Sequence, residues 1–164
     1  MKAIFAGAFD PFTVGHKDIA LRAARLFDSV TVAVAVETGK HSISADKRID
    51  IARQSVSNAM NIEVVGFSGL LADFVKDLLL KGEKCALVRG LRGARDIEYE
   101  RDLMRIYREQ CGVDTVFLYA LAEHEHISST VVRELARLNA PIDGYVDDGT
   151  IKQIYAIYGN TDKR

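Results

Sequence analysis

The 164-residue sequence has two cysteines, two prolines and no tryptophan. Cys85 and Cys111 stand far apart, without the paired spacing that ligates zinc or frames a disulfide scaffold. Cys85 lies in the apolar stretch CALV and reads as a buried, reduced thiol. Long hydrophobic runs are also missing. The strongest, residues 30–36, falls far short of the roughly 20 residues that span a bilayer. At the N-terminus Asp10-Pro11 interrupts the apolar pattern before it reaches signal-peptide length, so a cytoplasmic location is expected, with no membrane partner. Charge of one sign is lacking as well: the formal net charge is -1, which excludes a general basic field for nucleic acid. Any anion site must be built from local clusters.

What is present describes an ordinary folded chain. Hydrophobic residues at 48% and charged residues at 27% suit one domain with one sizeable core. Short apolar runs at residues 3–6, 30–36, 62–65, 86–88 and 116–119 read as strands buried on both faces. Helical periodicity fills residues 17–27, 45–59, 70–80, 95–109, 130–138 and 147–158. Strand-helix alternation of this kind predicts an α/β fold: a Rossmann-like doubly wound sheet of five parallel strands with C-terminal helices. No repeat or low-complexity linker divides the chain, so residues 1–159 are expected to form one domain and residues 160–164 to fray. Ligands of such sheets bind beyond the strand C-termini, near the switch in strand order.

Four segments fall there. After the first strand comes GAFDPFTVGH, residues 7–16. Its glycines permit close backbone approach to a phosphate, the following helix offers unpaired N–H groups, and His16 adds an imidazole. The same residues also read as a turn glycine and a helix-capping histidine. After the fourth strand, Arg89, Arg92 and Arg95 sit among Gly90 and Gly93. Guanidinium groups clamp phosphate oxygens in bidentate fashion, although a charged loop can also be merely solvated. Ser128, Ser129 and Thr130 open a helix, either as caps or as phosphate donors. Lys40, after the second strand, is a fourth candidate contact or a solvated lysine. Convergence of four anion-seeking segments on one sheet edge points to an enzyme acting on a polyphosphate.

The segments GAFDPFTVGH (7–16), GFSGL (66–70), VRGLR (88–92), DIEYE (96–100) and ISST (127–130) resemble, in order and spacing, those of the bacterial phosphopantetheine adenylyltransferases. These are nucleotidyltransferases with a T/H-x-G-H signature. The resemblance implies reversible transfer of AMP from ATP to 4'-phosphopantetheine, giving dephospho-coenzyme A and pyrophosphate with Mg2+. It also implies a homohexamer and feedback by coenzyme A. By motif position His16 is the catalytic residue, stabilising the transition state. Ala8, Phe9, His16, Gly90, Leu91, Arg92, Glu100 and the run His124, Glu125, His126, Ile127, Ser128, Ser129 and Thr130 would contact ATP. Ala8, Lys40, Leu71 and Arg89 would contact the acceptor, and no protein metal ligand is implied. Other small-molecule nucleotidyltransferases, or a weakly active coenzyme A-binding homologue, are the alternatives.

Three positions depart from the family. Ala8 stands where Thr or Ser is usual and removes a hydroxyl that helps orient the reacting phosphate. His124-Glu125-His126 replaces an aromatic-Ser-aromatic pattern, and both histidines are expected on the surface beside the glutamates. Tyr107 stands where asparagine is common.

Overall fold

The computed structural model describes residues 1–37 and 43–160. Five strands, β1 (Lys2–Gly7), β2 (Ser29–Ala35), β3 (Ile62–Phe67), β4 (Cys85–Leu91) and β5 (Thr115–Tyr119), form one parallel sheet in the order β3-β2-β1-β4-β5. The chain winds outward from β1 through β2 and β3, then returns to the other side of β1 as β4. The switch in strand order therefore lies between β1 and β4, as a doubly wound sheet requires.

Six helices cover the sheet: α1 (Val14–Leu26), α2 (Ala45–Ser55), α3 (Leu71–Leu80), α4 (Ala94–Cys111), α5 (Ser129–Arg137) and α6 (Ile151–Tyr158). Successive strand residues point to opposite faces, and β1 shows the consequence. Ala3 and Phe5 pack with Ile19, Ala23, Ile51, Ala52, Val132 and Ile154, from α1, α2, α5 and α6. Ile4 and Ala6 pack on the other face with Leu71, Ala72 and Val75 of α3 and Cys111 of α4. Ala3, Ile4, Val30, Val32, Val34, Leu87 and Val88 are fully buried, so each larger one adds about 1.5–3 kcal/mol of transfer free energy.

The five strands and six helices are those expected, and their ends differ for local reasons. The first helix begins at Val14 rather than residue 17, because Thr13 and His16 close a capping box in front of it. The second stops at Ser55 rather than 59, where the Ser55 hydroxyl donates 2.8 Å back to the Ile51 carbonyl and competes with helix continuation. The fourth runs on to Cys111 and ends where Gly112 takes a left-handed φ of 73°. At the C-terminus, the Asn160 carbonyl accepts from Asn139 Nδ2 at 3.3 Å, and residues 161–164 lie outside the described residues.

Candidate active site

A cavity of about 400 Å3 opens at the C-terminal ends of β1 and β4, beside the switch in strand order. The loop after β1 forms its floor. Gly7 leaves room for the Phe9 ring, which a Cβ there would approach to 3.1 Å. Phe9 is buried and takes a positive φ of 48°, unfavourable for a bulky residue. Its ring is fixed against Phe5 and Phe12 at centroid distances of 5.1 Å each. Ala8 is exposed on the cavity wall.

His16 serves both of the roles its sequence position suggests. The Thr13 backbone N–H donates 3.0 Å to His16 Nδ1, and Thr13 Oγ1 accepts from the His16 N–H at 3.4 Å. With Nδ1 occupied as an acceptor, the neutral ring carries its proton on Nε2. Phe9, Phe12 and Phe5 surround the imidazole at 5.1, 5.4 and 6.3 Å. Burial first, then the positive charges of Arg92 and Arg89, lower its pKa from 6.5 to about 4. Near neutral pH the ring is therefore an uncharged N–H donor lining the cavity.

From β4 and α4 come Arg89, Gly90, Arg92 and Glu100. Arg89 is engaged: Nε and Nη2 donate to the two Glu100 carboxylate oxygens, both at 2.7 Å, and Nη1 donates to the Ala6 carbonyl at 2.9 Å. Burial opposes the charge of Arg89, but the Glu100 hydrogen bonds offset it and leave the pKa raised. Arg92 is half exposed; its backbone N–H donates to Asp96 Oδ2 at 2.9 Å and its guanidinium lies 3.5 Å from the same oxygen. Arg89 thus meets the cavity as a locked ion pair, and Arg92 as a reachable cation. Arg95 opens the first turn of α4, and its side chain lies outside the described residues.

The third wall is the start of α5. Ser128 caps the helix by accepting from the Val131 N–H at 3.2 Å. Ser129 Oγ donates 2.8 Å to the Pro11 carbonyl, tying α5 to the loop. Thr130 Oγ1 accepts from Arg133 Nη2 at 3.2 Å. Ser128 thus caps the helix and Ser129 tethers it, all three residues line the cavity, and the helix turns the positive end of its dipole there.

His124 corrects the surface reading of both histidines. It lines the cavity, its side chain is only 19% exposed, and its buried Nδ1 has no hydrogen-bond partner among the described residues. The reason is packing: His124 covers the start of α1, its Cβ 3.7 Å from where a Gly15 Cβ would stand. His126 is exposed and meets Tyr145 edge-on at 5.8 Å.

Ala8, Phe9, His16, Arg89, Gly90, Arg92, Glu100, His124 and Ile127 to Thr130 are thus brought to one cavity. Glu125, His126 and the buried Leu91 do not line it. Leu71 lies in the core between α3 and the sheet, and Lys40 is outside the described residues. Tyr107 packs at the edge of that same core, half-buried near Arg89. Sequence reasoning missed the groups that hold the loop. Arg133 donates to the Asp10 carbonyl and lies 3.8 Å from its carboxylate, and the Tyr158 hydroxyl donates to the same carboxylate. Burial and that carboxylate push the Tyr158 phenol upward. Arg48, 1% exposed, donates to four backbone carbonyls around the loop. The available signal was a charged residue inside the apolar face of α2, beside Ile49, Ile51 and Ala52.

Fold and cavity together define a doubly wound α/β domain whose strand-switch cavity is set with cations, a neutral imidazole and a helix N-terminus. The cytidylyltransferase-like family model matches residues 4–135. The phosphopantetheine adenylyltransferase of Methylobacillus flagellatus is 44% identical over 148 residues, 89% of this chain and 90% of its own. That of Acidovorax sp. is 39% identical, covering 97% and 95% of the two chains, and that of Actinobacillus pleuropneumoniae is 44% identical, covering 90% and 92%. The chain therefore belongs to the cytidylyltransferase-like nucleotidyltransferases, in the phosphopantetheine adenylyltransferase family. The fold is shared more widely. A solved Vibrio parahaemolyticus protein described as a nicotinate-nucleotide adenylyltransferase superposes with a TM-score of 0.69 at 16% identity, over 94% of this chain and 91% of its own.

Among the described residues no helix is long and apolar enough to cross a membrane. Nor does any group of three or more His, Cys, Asp or Glu among them form a metal cage.

Proposed function

We propose that the protein transfers the adenylyl group of ATP, supplied with Mg2+, to the phosphate of 4'-phosphopantetheine, giving dephospho-coenzyme A and pyrophosphate. The observation that carries this reading is a neutral His16, its Nδ1 fixed as an acceptor, lining one cavity with Arg92 and the α5 N-terminus. The names of relatives covering nine-tenths of the chain supply the acceptor.

The nucleophile is an acceptor phosphate oxygen, already anionic near neutral pH, so no general base is required. Its lone pair forms a bond to the α-phosphorus as the bond to the β-bridging oxygen breaks in line, and pyrophosphate leaves with that electron pair. His16 Nε2–H donates to the α-phosphate as negative charge builds on it. Arg92 and the α5 N-terminus hold the β- and γ-phosphates, and Arg89, squared by Glu100, faces the acceptor phosphate. Bound Mg2+ spreads the polyphosphate charge. The family also suggests a cytoplasmic homohexamer, and coenzyme A as a feedback ligand of the same cavity.

The test is formation of dephospho-coenzyme A and pyrophosphate from ATP, Mg2+ and 4'-phosphopantetheine. CTP with glycerol 3-phosphate, and ATP with nicotinamide mononucleotide, are offered in parallel. Faster turnover of either pair than of phosphopantetheine would overturn the assignment. In the same assay Ala8→Thr, restoring a hydroxyl to the cavity wall, should raise kcat about tenfold, since one such donor is worth about 10²–10³ in rate.

A further inference from the structure

Arg48 is a buried guanidinium whose hydrogen-bond acceptors among the described residues are all main-chain carbonyls. Nη1 donates to Ala8 O at 2.6 Å and Ala35 O at 2.8 Å, Nη2 to Val36 O at 3.1 Å, and Nε to Ile43 O at 3.2 Å. Among the described residues no carboxylate lies within 4 Å of it. It does not line the cavity, but the residue it holds most closely does. Burying an arginine on carbonyls alone is costly, and an apolar residue on this face of α2 would serve the core better. The arrangement asks for a reason beyond the fold.

The reason lies in the Ala8–Phe9 peptide. That bond is trans, the one cis bond among the described residues being Asp10-Pro11. In a trans peptide the C=O and N–H point opposite ways. With Ala8 O drawn down to Arg48, the Phe9 N–H turns away from Arg48, and both Ala8 and Phe9 line the cavity. Phe9 adopts its left-handed φ of 48° at this peptide, and among the described residues its N–H has no acceptor. A strained backbone with an unpaired donor, its carbonyl held by a buried arginine, has the character of an anion site.

We infer that Arg48 is a positioning residue for adenylyl transfer: by gripping Ala8 O it aims the Phe9 N–H at the reacting phosphate. The Phe9 N–H does part of the orienting that a hydroxyl at position 8 would add to. Lysine cannot substitute, because one ammonium carries three donors from a single point and cannot span four carbonyls across two loops. The inference rests on the proposed reaction only for the identity of the phosphate.

The experiment uses the full chain labelled with 15N-phenylalanine, the Phe9 amide being assigned by its loss in Phe9→Leu. In the native protein a non-hydrolysable ATP analogue with Mg2+ should shift the Phe9 amide and slow its exchange. In Arg48→Lys the same addition should leave that amide near its free position. Turnover of Arg48→Lys should fall about 10–100-fold in kcat while KM for ATP stays within about threefold, as for a donor used mainly in the transition state. Arg48→Gln, a neutral second variant, should behave alike. A Phe9 amide that ignores the analogue, an equal shift in folded Arg48→Lys, or a kcat within about twofold of native overturns the inference. So does failure of both variants to fold in the cold, because Arg48 then serves the fold alone. If ATP moves the Phe9 amide in an Arg48-dependent way but no dephospho-coenzyme A forms, the acceptor assignment fails and the role of Arg48 stands.

Discussion

His16 divides its two ring nitrogens between the fold and the reaction, and substitutions can separate the two. Glutamine at this third helical position still reaches back to the Thr13 N–H, whereas alanine does not. His16→Gln is expected to keep its melting temperature and lose about 10²–10³ in kcat, while His16→Ala loses as much activity and about 1 kcal/mol of stability besides. Equal melting of the two variants would show that the side-chain half of the capping box, from residue 16 to the Thr13 N–H, contributes nothing. The pH dependence follows from the direction of the shift. The folded pKa of about 4 lies below the ordinary 6.5, so protonation favours the unfolded chain. The contribution of the neutral ring is complete above about pH 6.5 and is lost as pH falls towards 4. A bound polyphosphate favours the cation, so the imidazole resonance should titrate higher with pyrophosphate than without it. His16, Arg89 and Arg92 were legible in the sequence because their segments follow strands and carry chemistry that anions require. Arg48 and Arg133 were not, because each donates to a main-chain carbonyl distant in sequence, Ala8 O 40 residues away for Arg48 and Asp10 O 123 residues away for Arg133. A carbonyl acceptor has no residue code, so no spacing announces it.

Among the elements, the two helix starts that flank the cavity show why boundaries were harder to read than identities. The capping box that moves the start of α1 to Val14 places Gly15 inside the first turn. There neither a turn nor a special φ asks for glycine: an added Cβ would find its nearest neighbours at 3.7 Å, an ordinary contact. What remains is room for a ligand beside the cavity that Gly15 lines. Gly15→Ala should therefore leave stability unchanged or raise it by up to about 1 kcal/mol, through helix propensity, while raising KM for ATP. A melting temperature that falls instead, with KM intact, would return Gly15 to a packing role. The hydroxyls of α5 were ambiguous in the sequence; Ser128 caps the helix and Ser129 ties it to the loop, and both still line the cavity with Thr130. The C-terminal limit of α4 was readable from Gly112, but helical periodicity alone weakened at residue 109.

At the scale of the whole molecule, the parallel sheet and its switch point were legible because buried strands and amphipathic helices alternate in sequence. Strand order was not, since nothing local says that β4 returns to the far side of β1. That return places the loop after β1 and the arginines after β4 around one cavity, with α5 closing it. Ligand binding must therefore tie together segments spread over most of the chain, and nucleotide should stabilise the molecule as a unit. At a ligand concentration of about 100 times Kd the gain is about 2.7 kcal/mol. For a chain of 164 residues this corresponds to a rise in melting temperature of about 5–10 °C. The rise should saturate with ATP and shrink in Arg92→Ala, whose guanidinium is the reachable cation of the cavity. A rise that persists undiminished in Arg92→Ala would place the nucleotide phosphates elsewhere. It would then be the N-terminus of α5, rather than the loop after β4, that holds them, and Ser128→Pro should abolish the shift by breaking the cap that orients it.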